Sequence, residues 1–520
     1  MRRIFHAISL AALILISVGC RQSGSYIVLV TATPAGGAVG GGSDLISPEI
    51  LQPSELPESG PMFVPTPDAT RPSAVDAAQD QTYVVVPGDT LSQISLRFGV
   101  TVESIIQANR LPDATTLTVG QTLLIPTAIQ VTGPAFKIIP DSELVYGPHS
   151  GAFDVAAFLV GKDCFLCRYR EEIDGQQWSG ANIIQLVARE QSLNPRLLLA
   201  LLEYESHWVS QSTIDEDAAT YPLGFYEQPG QVYGLYRQLD WAGKLLQTGY
   251  YGWKLRGLSA TLLADGSRAG LDPTLNAGTA GVQVLLSRTR DLEGWIQAAQ
   301  PSGFYTTYAS MFGDPFQYAT EPIIPADLSQ PPMSFPWAKD EIWYFTGGPH
   351  GGWGAGGAWA AIDFVSGEKV SGCDEASEWA RAVADGVIAV SDYGLLILDL
   401  DRDGNPGTGW AVVYLHLSSA DRAVVAGQSV ALGDALGHPS CEGGFSTATH
   451  LHIARRYNGE WVAADCSRCL FVSPVPQLNF DGWIASSFGR EYDGSLTKGE
   501  AYREACTCRD EINALTISGQ

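Results

Sequence analysis

The sequence predicts a multidomain α+β chain with a small βααβ module, a helical middle domain and an all-β C-terminal domain. Between Tyr83 and Ile125 the apolar residues pass from strand-like runs to three-to-four spacing and back. Between Ala181 and Glu205 they recur at helical spacing, and beyond Pro336 short β-prone runs are punctuated by Gly and Asp. The expected units are 81–127, 150–320 and 337–480, preceded by a leader at 1–20 and a linker at 21–80, and followed by an extension at 481–520.

The chain opens with Arg2 and Arg3, an apolar run from Ile8 to Val18, and Gly19-Cys20. That run is too short to span a bilayer and has the form of an export signal. Its end resembles the processing site of bacterial lipoproteins, which implies a lipid on Cys20 and a membrane anchor. Ser17 departs from the aliphatic residue usual three places earlier, so an ordinary signal is the alternative. Both imply an extracytoplasmic protein. Residues 21–80 are dominated by Pro, Gly, Ser, Thr and Ala and cannot bury enough apolar surface to fold, so they read as a disordered linker. The net charge of −25 excludes nucleic acid as a partner, since phosphate binding needs a basic footprint. Of the nine cysteines, those at 164, 167, 373, 441, 466, 469, 506 and 508 read as disulfides in an exported chain. A four-thiolate zinc site from Cys164, Cys167, Cys466 and Cys469 is the alternative.

In the first module, Tyr83 to Val86 is a strand, Pro87-Gly88-Asp89 a turn, and Asp89 or Thr90 can cap a helix carrying Leu91, Ile94 and Phe98. Val102, Ile105 and Ile106 form a second helix ending near Asn109, and Leu123 to Ile125 closes as a strand. The segments Tyr83 to Leu91, Ile94-Ser95, Asn109, Val119-Gly120-Gln121 and Leu124-Ile125-Pro126 resemble the LysM family over the whole module. The resemblance implies binding to N-acetylglucosamine-containing glycan of cell walls or chitin. A folded spacer without binding is the bland reading.

In the middle domain, Asn194-Pro195 is a helix-start signal where two helices meet. The stretch from Leu193 to Ser206 resembles the catalytic helix of lysozyme-like lytic transglycosylases, with Glu205 in the position of their acid. The resemblance covers one motif. An ordinary helix-end carboxylate is the competing reading of Glu205.

The C-terminal domain carries four of the eight histidines in three segments: Gly348-Pro349-His350, Tyr414-Leu415-His416-Leu417 and His450-Leu451-His452. Residues two apart on a strand share a face, so His450 and His452 aim at one point. Val413, Leu415 and Leu417 are expected on one core-facing side. Asp363 adds a carboxylate, and imidazole and carboxylate are ordinary zinc ligands. With Ala382 to Ile388, Val425 to Val430 and Leu436-Gly437, these segments resemble the lysostaphin and LytM type of zinc metallopeptidase, built on a duplicated hybrid motif. That resemblance implies His350, Asp363 and His452 as zinc ligands, and His416 and His450 as catalytic residues. One departure is that His350 and Asp363 lie thirteen apart rather than four; the Gly- and Ala-rich insertion between them is expected to loop out and leave its ends adjacent.

Asp399, Asp401 and Asp403 before Gly404 have the alternation of half a calcium loop, although Trp410 stands where its bidentate Glu belongs; a hairpin turn is the simpler reading. The expected function is a tethered extracytoplasmic zinc endopeptidase that cuts stem or cross-bridge peptides of peptidoglycan. A non-catalytic peptidoglycan-binding scaffold or activator of other wall hydrolases is the alternative, and a glycan-cleaving enzyme working from Glu205 is the third.

Overall fold

The computed structural model describes residues 81–517, except 99, 101, 114–116, 126–130, 227–231 and 471–474. The leader, Cys20, the linker and Pro126 lie outside the described residues. Among the described residues no helix is long and apolar enough to cross a membrane.

In the first module β1 (Gln81–Val84) pairs antiparallel with β2 (Thr122–Ile125), and α1 (Leu91–Phe98) and α2 (Val102–Asn109) lie between them in sequence. Thr90 closes the start of α1: its Oγ1 accepts from Gln93 N while Gln93 Oε1 accepts from Thr90 N. Asp89 is used otherwise, accepting from the Tyr83 hydroxyl and from Val86 N. Asn109 ties α2 to β2 by accepting from Leu124 N and donating to Leu124 O, both at 2.6 Å. Leu91, Ile94, Ile105 and Leu123 belong to a core separate from the rest of the molecule.

The helical unit contains a hairpin of β3 (Arg170–Ile173) and β4 (Gln176–Ser179), then α3 (Gly180–Gln191), α4 (Pro195–Ser206), α5 (Leu235–Arg256) and α6 (Ala277–Ser287). Asn194 caps α4 by accepting from Arg196 N, with Pro195 in the first turn, where its missing N–H costs nothing. The long helix α5 packs on α6 and also reaches the β unit, where the Tyr251 hydroxyl accepts from Trp461 N.

The C-terminal unit is β throughout. It holds a nine-stranded antiparallel sheet made of β5 (Ile342–His350), β6 (Ala361–Ser366), β7 (Gly386–Ser391), β8 (Gly394–Asp399), β9 (Trp410–Leu417), β10 (Ser429–Val430), β11 (Leu451–Tyr457), β12 (Glu460–Trp461) and β13 (Ala514–Thr516). The strand order is β10-β7-β8-β9-β11-β6-β5-β13, with β12 paired to β11, and a four-stranded sheet from Asn479 to Glu504 packs beside it. Alternation along β8 and β9 divides two cores. Leu396, Leu398, Val412 and Tyr414 face one with Ile362 and Phe364. Leu395, Ile397, Val413 and Leu415 face the other, which the helical unit completes with residues such as Leu246 and Tyr251. The second face of this sheet is thus covered by helices of the preceding unit, where the sequence suggested an all-β domain that closes its own core.

Leu417 departs from expectation by joining the core of Val412 and Tyr414. The cause lies at His416, whose φ of 63° is left-handed, and in the register shift between Gly394 and Leu395 on the neighbouring strand. The strand's alternation therefore breaks at this residue. The eight cysteines outside the leader pair as 164–167, 373–441, 466–469 and 506–508. Each Cys-x-x-Cys closes on itself, so the four-thiolate zinc alternative does not form.

Candidate metal centre

Three neighbouring strands converge on one point. Asp363 on β6 and His452 on β11 are directly opposed in the ladder, and His350 ends β5 opposite Ala361, so the ends of the insertion do remain adjacent. Space for the carboxylate comes from Gly347: a Cβ there would lie 2.5 Å from Asp363 Oδ2. All three side chains are buried.

The tautomers follow from the backbone, because a carbonyl oxygen can only accept. His350 Nδ1 donates to Gly348 O at 2.8 Å, leaving Nε2 as its lone-pair atom. His452 Nε2 donates to Gly352 O at 3.0 Å, leaving Nδ1. These two lone-pair nitrogens are 3.1 Å apart, and they lie 3.3 and 3.2 Å from Asp363 Oδ1. In the neutral forms no proton lies among the three atoms, and Oδ1 is buried without a hydrogen-bond donor. Such a cluster of acceptors is costly unless a positive charge sits between them. A tetrahedral zinc ion with ligands at ~2.0–2.1 Å holds neighbouring ligand atoms roughly 3.3 Å apart, so both the donor set and its spacing fit.

The electrostatics agree. Burial alone would raise the Asp363 carboxyl, but the His350 and His450 imidazoles outweigh it and hold it well below the usual range. Burial alone would lower His350, but Asp363 and the Gly348 carbonyl hold it above its usual value. His452 is held down by burial despite Asp363. A proton on His350 is one way to compensate the carboxylate, and a divalent cation shared by all three residues is the other.

His416 and His450 flank this triad with their rings 4.5 Å apart. His416 Nδ1 donates to Glu442 O at 3.0 Å and His450 Nδ1 to Ala448 O at 2.8 Å, so each presents Nε2 as a lone pair. His450 Nε2 lies 3.8 Å from Asp363 Oδ1. Strict alternation would send His416 to the face of Val412 and Tyr414. Its left-handed backbone turns the ring to the site, at a cost of about 1–2 kcal/mol. Burial, with His450 and His452 adding to it, holds the His416 imidazole well below its usual pKa, so it is neutral near pH 7.

The histidines open onto a cleft of about 930 Å³. Its lining includes Trp353, Phe445 and Tyr492 from the β unit and Asp174, Tyr236, Arg237, Asp240 and Lys244 from the helical unit. Tyr492 stacks on His350 with centroids 4.2 Å apart, and its carbonyl accepts from Gly348 N. Sequence reasoning missed Tyr492, which the extension brings in without a local signal. It also missed Trp353, whose signal was one of two tryptophans, with Trp359, among glycines and alanines.

The other expected sites lie elsewhere. Glu205 does not line the cleft; both of its carboxylate oxygens accept from Arg290 Nη2 at 2.8 Å. Burial pushes its carboxyl up, opposed by Arg290. Asp399, Asp401 and Asp403 cluster, but they form the turn between β8 and β9: Asp399 accepts from Asp401 N and Gly404 N, and Asp403 from Asn405 N and the Thr408 hydroxyl. Their oxygens serve the turn, as in the hairpin reading, and calcium gains no support. His438 packs against Trp379 with ring centroids 3.8 Å apart and does not line the cleft.

Residues 83–126 match the family described as LysM domain, and residues 137–326 match the one described as LasA, N-terminal domain, which includes the stretch around Glu205. The chain is similar to Protease LasA. The Pseudomonas aeruginosa protein of that name is 27% identical over 344 residues, covering 62% of this chain and 74% of its own. N-acetylmuramoyl-L-alanine amidase XlyA of Bacillus subtilis is 35% identical over 69 residues, covering 13% of this chain and 23% of its own. Among solved structures, the M23 metalloprotease pseudoalterin is 20% identical, covers 34% of this chain and 96% of its own, and has a TM-score of 0.27. The catalytic domain of lysostaphin from Staphylococcus simulans is 23% identical, with coverages of 26% and 88% and a TM-score of 0.16.

Proposed function

We propose that this protein is an extracytoplasmic zinc endopeptidase that hydrolyses peptide bonds of peptidoglycan, held on wall glycan by its first module. The observation that carries the reading is the set of three buried acceptor atoms spaced 3.1, 3.2 and 3.3 Å apart, with two further imidazoles presenting lone pairs beside them. Similarity to a protein named as a protease, and to a LysM domain, supports the substrate class. In this reading a lipid on Cys20 tethers the chain to the membrane.

His350, Asp363 and His452 hold the metal. Zinc at such a site supplies a Lewis acid that lowers the pKa of water to about 7 and polarises a carbonyl. His450 Nε2, fixed as an acceptor by the Ala448 carbonyl, takes the proton of the attacking water. His416 also presents an acceptor in its neutral form, so it donates only after gaining a proton, and the proton that His450 takes from the water, held on a ring 4.5 Å away, supplies it. Burial makes that cation a ready donor, and the leaving amine is its acceptor. The cleft orients the substrate between the β unit and the helical wall.

Digestion of purified peptidoglycan, with new amino groups counted before and after chelation and zinc restoration, tests the function. Amino-group release that chelation abolishes and zinc restores is the expected outcome. A well-folded protein that binds zinc and releases none is a non-catalytic scaffold. Co-sedimentation with insoluble peptidoglycan tests the first module, and a folded chain that stays in the supernatant makes the module a spacer.

A further inference from the structure

The insertion between His350 and Asp363 is not a slack loop. Arg256, the last residue of α5, donates from Nη1 to Gly357 O at 3.0 Å and from Nη2 to Gly356 O at 2.7 Å. Across the same loop, Gly352 N donates to Ala358 O at 3.2 Å, which ties its start to its end. Gly352 sits on the Trp461 ring so closely that a Cβ would lie 2.6 Å from it. Trp461 is in turn fixed to α5, since its N donates to the Tyr251 hydroxyl at 2.9 Å. Gly352 O is the acceptor that fixes the His452 tautomer. Two routes therefore lead from one helix to one carbonyl oxygen, and from it to one metal ligand.

We propose that α5 of the helical unit is a built-in part of the metal site, with Arg256 as a positioning residue that holds the 351–360 loop, and through Gly352 O the imidazole of His452. The proposal rests on the zinc reading above. It gives the long spacing between His350 and Asp363 a purpose: the added residues form an arm that docks on α5 and returns a carbonyl to the ligand. Partners of this kind orient metal ligands, and their loss typically costs ~10- to 100-fold in metal affinity.

The test uses the full chain loaded with cobalt(II), whose visible absorption reports ligand geometry without any substrate. Arg256→Ala should bind cobalt ~10- to 100-fold more weakly and with an altered absorption band. Arg256→Lys, which keeps one donor, should recover part of both. Lys254→Gln is the control for general docking: it removes a 2.7 Å contact between α5 and Glu460, beside Trp461, but leaves the Arg256 bonds to the loop in place, so its shift should be clearly smaller than that of Arg256→Ala. If Arg256→Ala does not fold, Tyr251→Phe removes the second route and should shift the band in the same direction. Wild-type protein that takes up no cobalt sinks the metal reading and this inference with it. A wild type that binds, beside an Arg256→Ala with the same affinity and band, overturns this inference alone. An equal shift in Lys254→Gln overturns it too, by assigning the effect to general docking of the two units.

Discussion

Asp363 and His452 are directly opposed on β6 and β11, and Asp363 Oδ1 lies 3.2 Å from the lone-pair nitrogen of His452. Directly opposed residues of an antiparallel ladder keep a fixed separation, so a carboxylate and an imidazole in these positions are held in a rigid mutual geometry. His350 completes the set from the next strand, through an end that bulges between Gly347 and His350.

The isolated full chain should therefore contain one zinc per molecule. Asp363→Ala and His452→Ala should each lose it, because two remaining ligands leave the ion largely solvated. Elemental analysis of dialysed, folded protein checks this. Undiminished zinc in both variants would remove the ligand assignment.

His450 should behave differently from its neighbour two residues on. His450→Ala should keep zinc and lose ~10²- to 10⁴-fold in the rate of amino-group release, the usual worth of a positioned base. His416→Ala should also keep zinc and lose activity, while gaining stability from relief of the left-handed backbone only if the new residue relaxes out of it. Zinc content measured beside turnover separates holding from cutting. A fully active His450→Ala would overturn the mechanism.

How much of this was legible in the sequence depends on which kind of atom does the work. His450-Leu451-His452 was readable because strand alternation fixes where side chains two apart point, and Asp363 because its neighbours Ile362 and Phe364 mark the opposite, core-facing side. Leu417 was misread because no propensity announces a left-handed φ at a histidine. The four carbonyls that set the histidine tautomers, at Gly348, Gly352, Glu442 and Ala448, belong to a group every residue carries, so no residue type flags them. The helical cover of the sheet was hidden for a similar reason. Continuous burial along Gly394–Asp399 and Trp410–Leu417 reads as a strand core whether a second sheet or a helix lies above it.

Glu205→Gln tests whether the helical unit cuts glycan. Both of its oxygens accept from Arg290; glutamine keeps one acceptor and the guanidinium keeps Leu286 O and the Thr289 hydroxyl, so the variant should lose stability by ~1–3 kcal/mol. Peptide cleavage at a temperature where the variant is folded should be unchanged. Chemical denaturation beside separate assays of amino groups and reducing ends checks both halves. Loss of reducing-end release with peptide cleavage intact would make the helical unit a second enzyme.

Glu143 predicts how stability varies with pH. Its carboxyl is buried beside Arg196, Asn194 and Tyr308, and burial outweighs these partners to push it up to about 7. An unfolded glutamate titrates near 4.5, so between the two values the folded chain binds more protons than the unfolded one. The contribution of this group is then fully present below about pH 4.5 and is lost as pH rises through about 7. The swing is no more than about 3 kcal/mol, from the size of the displacement. Glu143→Gln removes the titration while keeping an acceptor for Asn194 and Arg196. Denaturant midpoints from pH 5 to 8 should therefore fall more steeply in the wild type than in Glu143→Gln. Parallel curves would show that the folded chain keeps Glu143 ionised across this range, with Arg196 dominating burial.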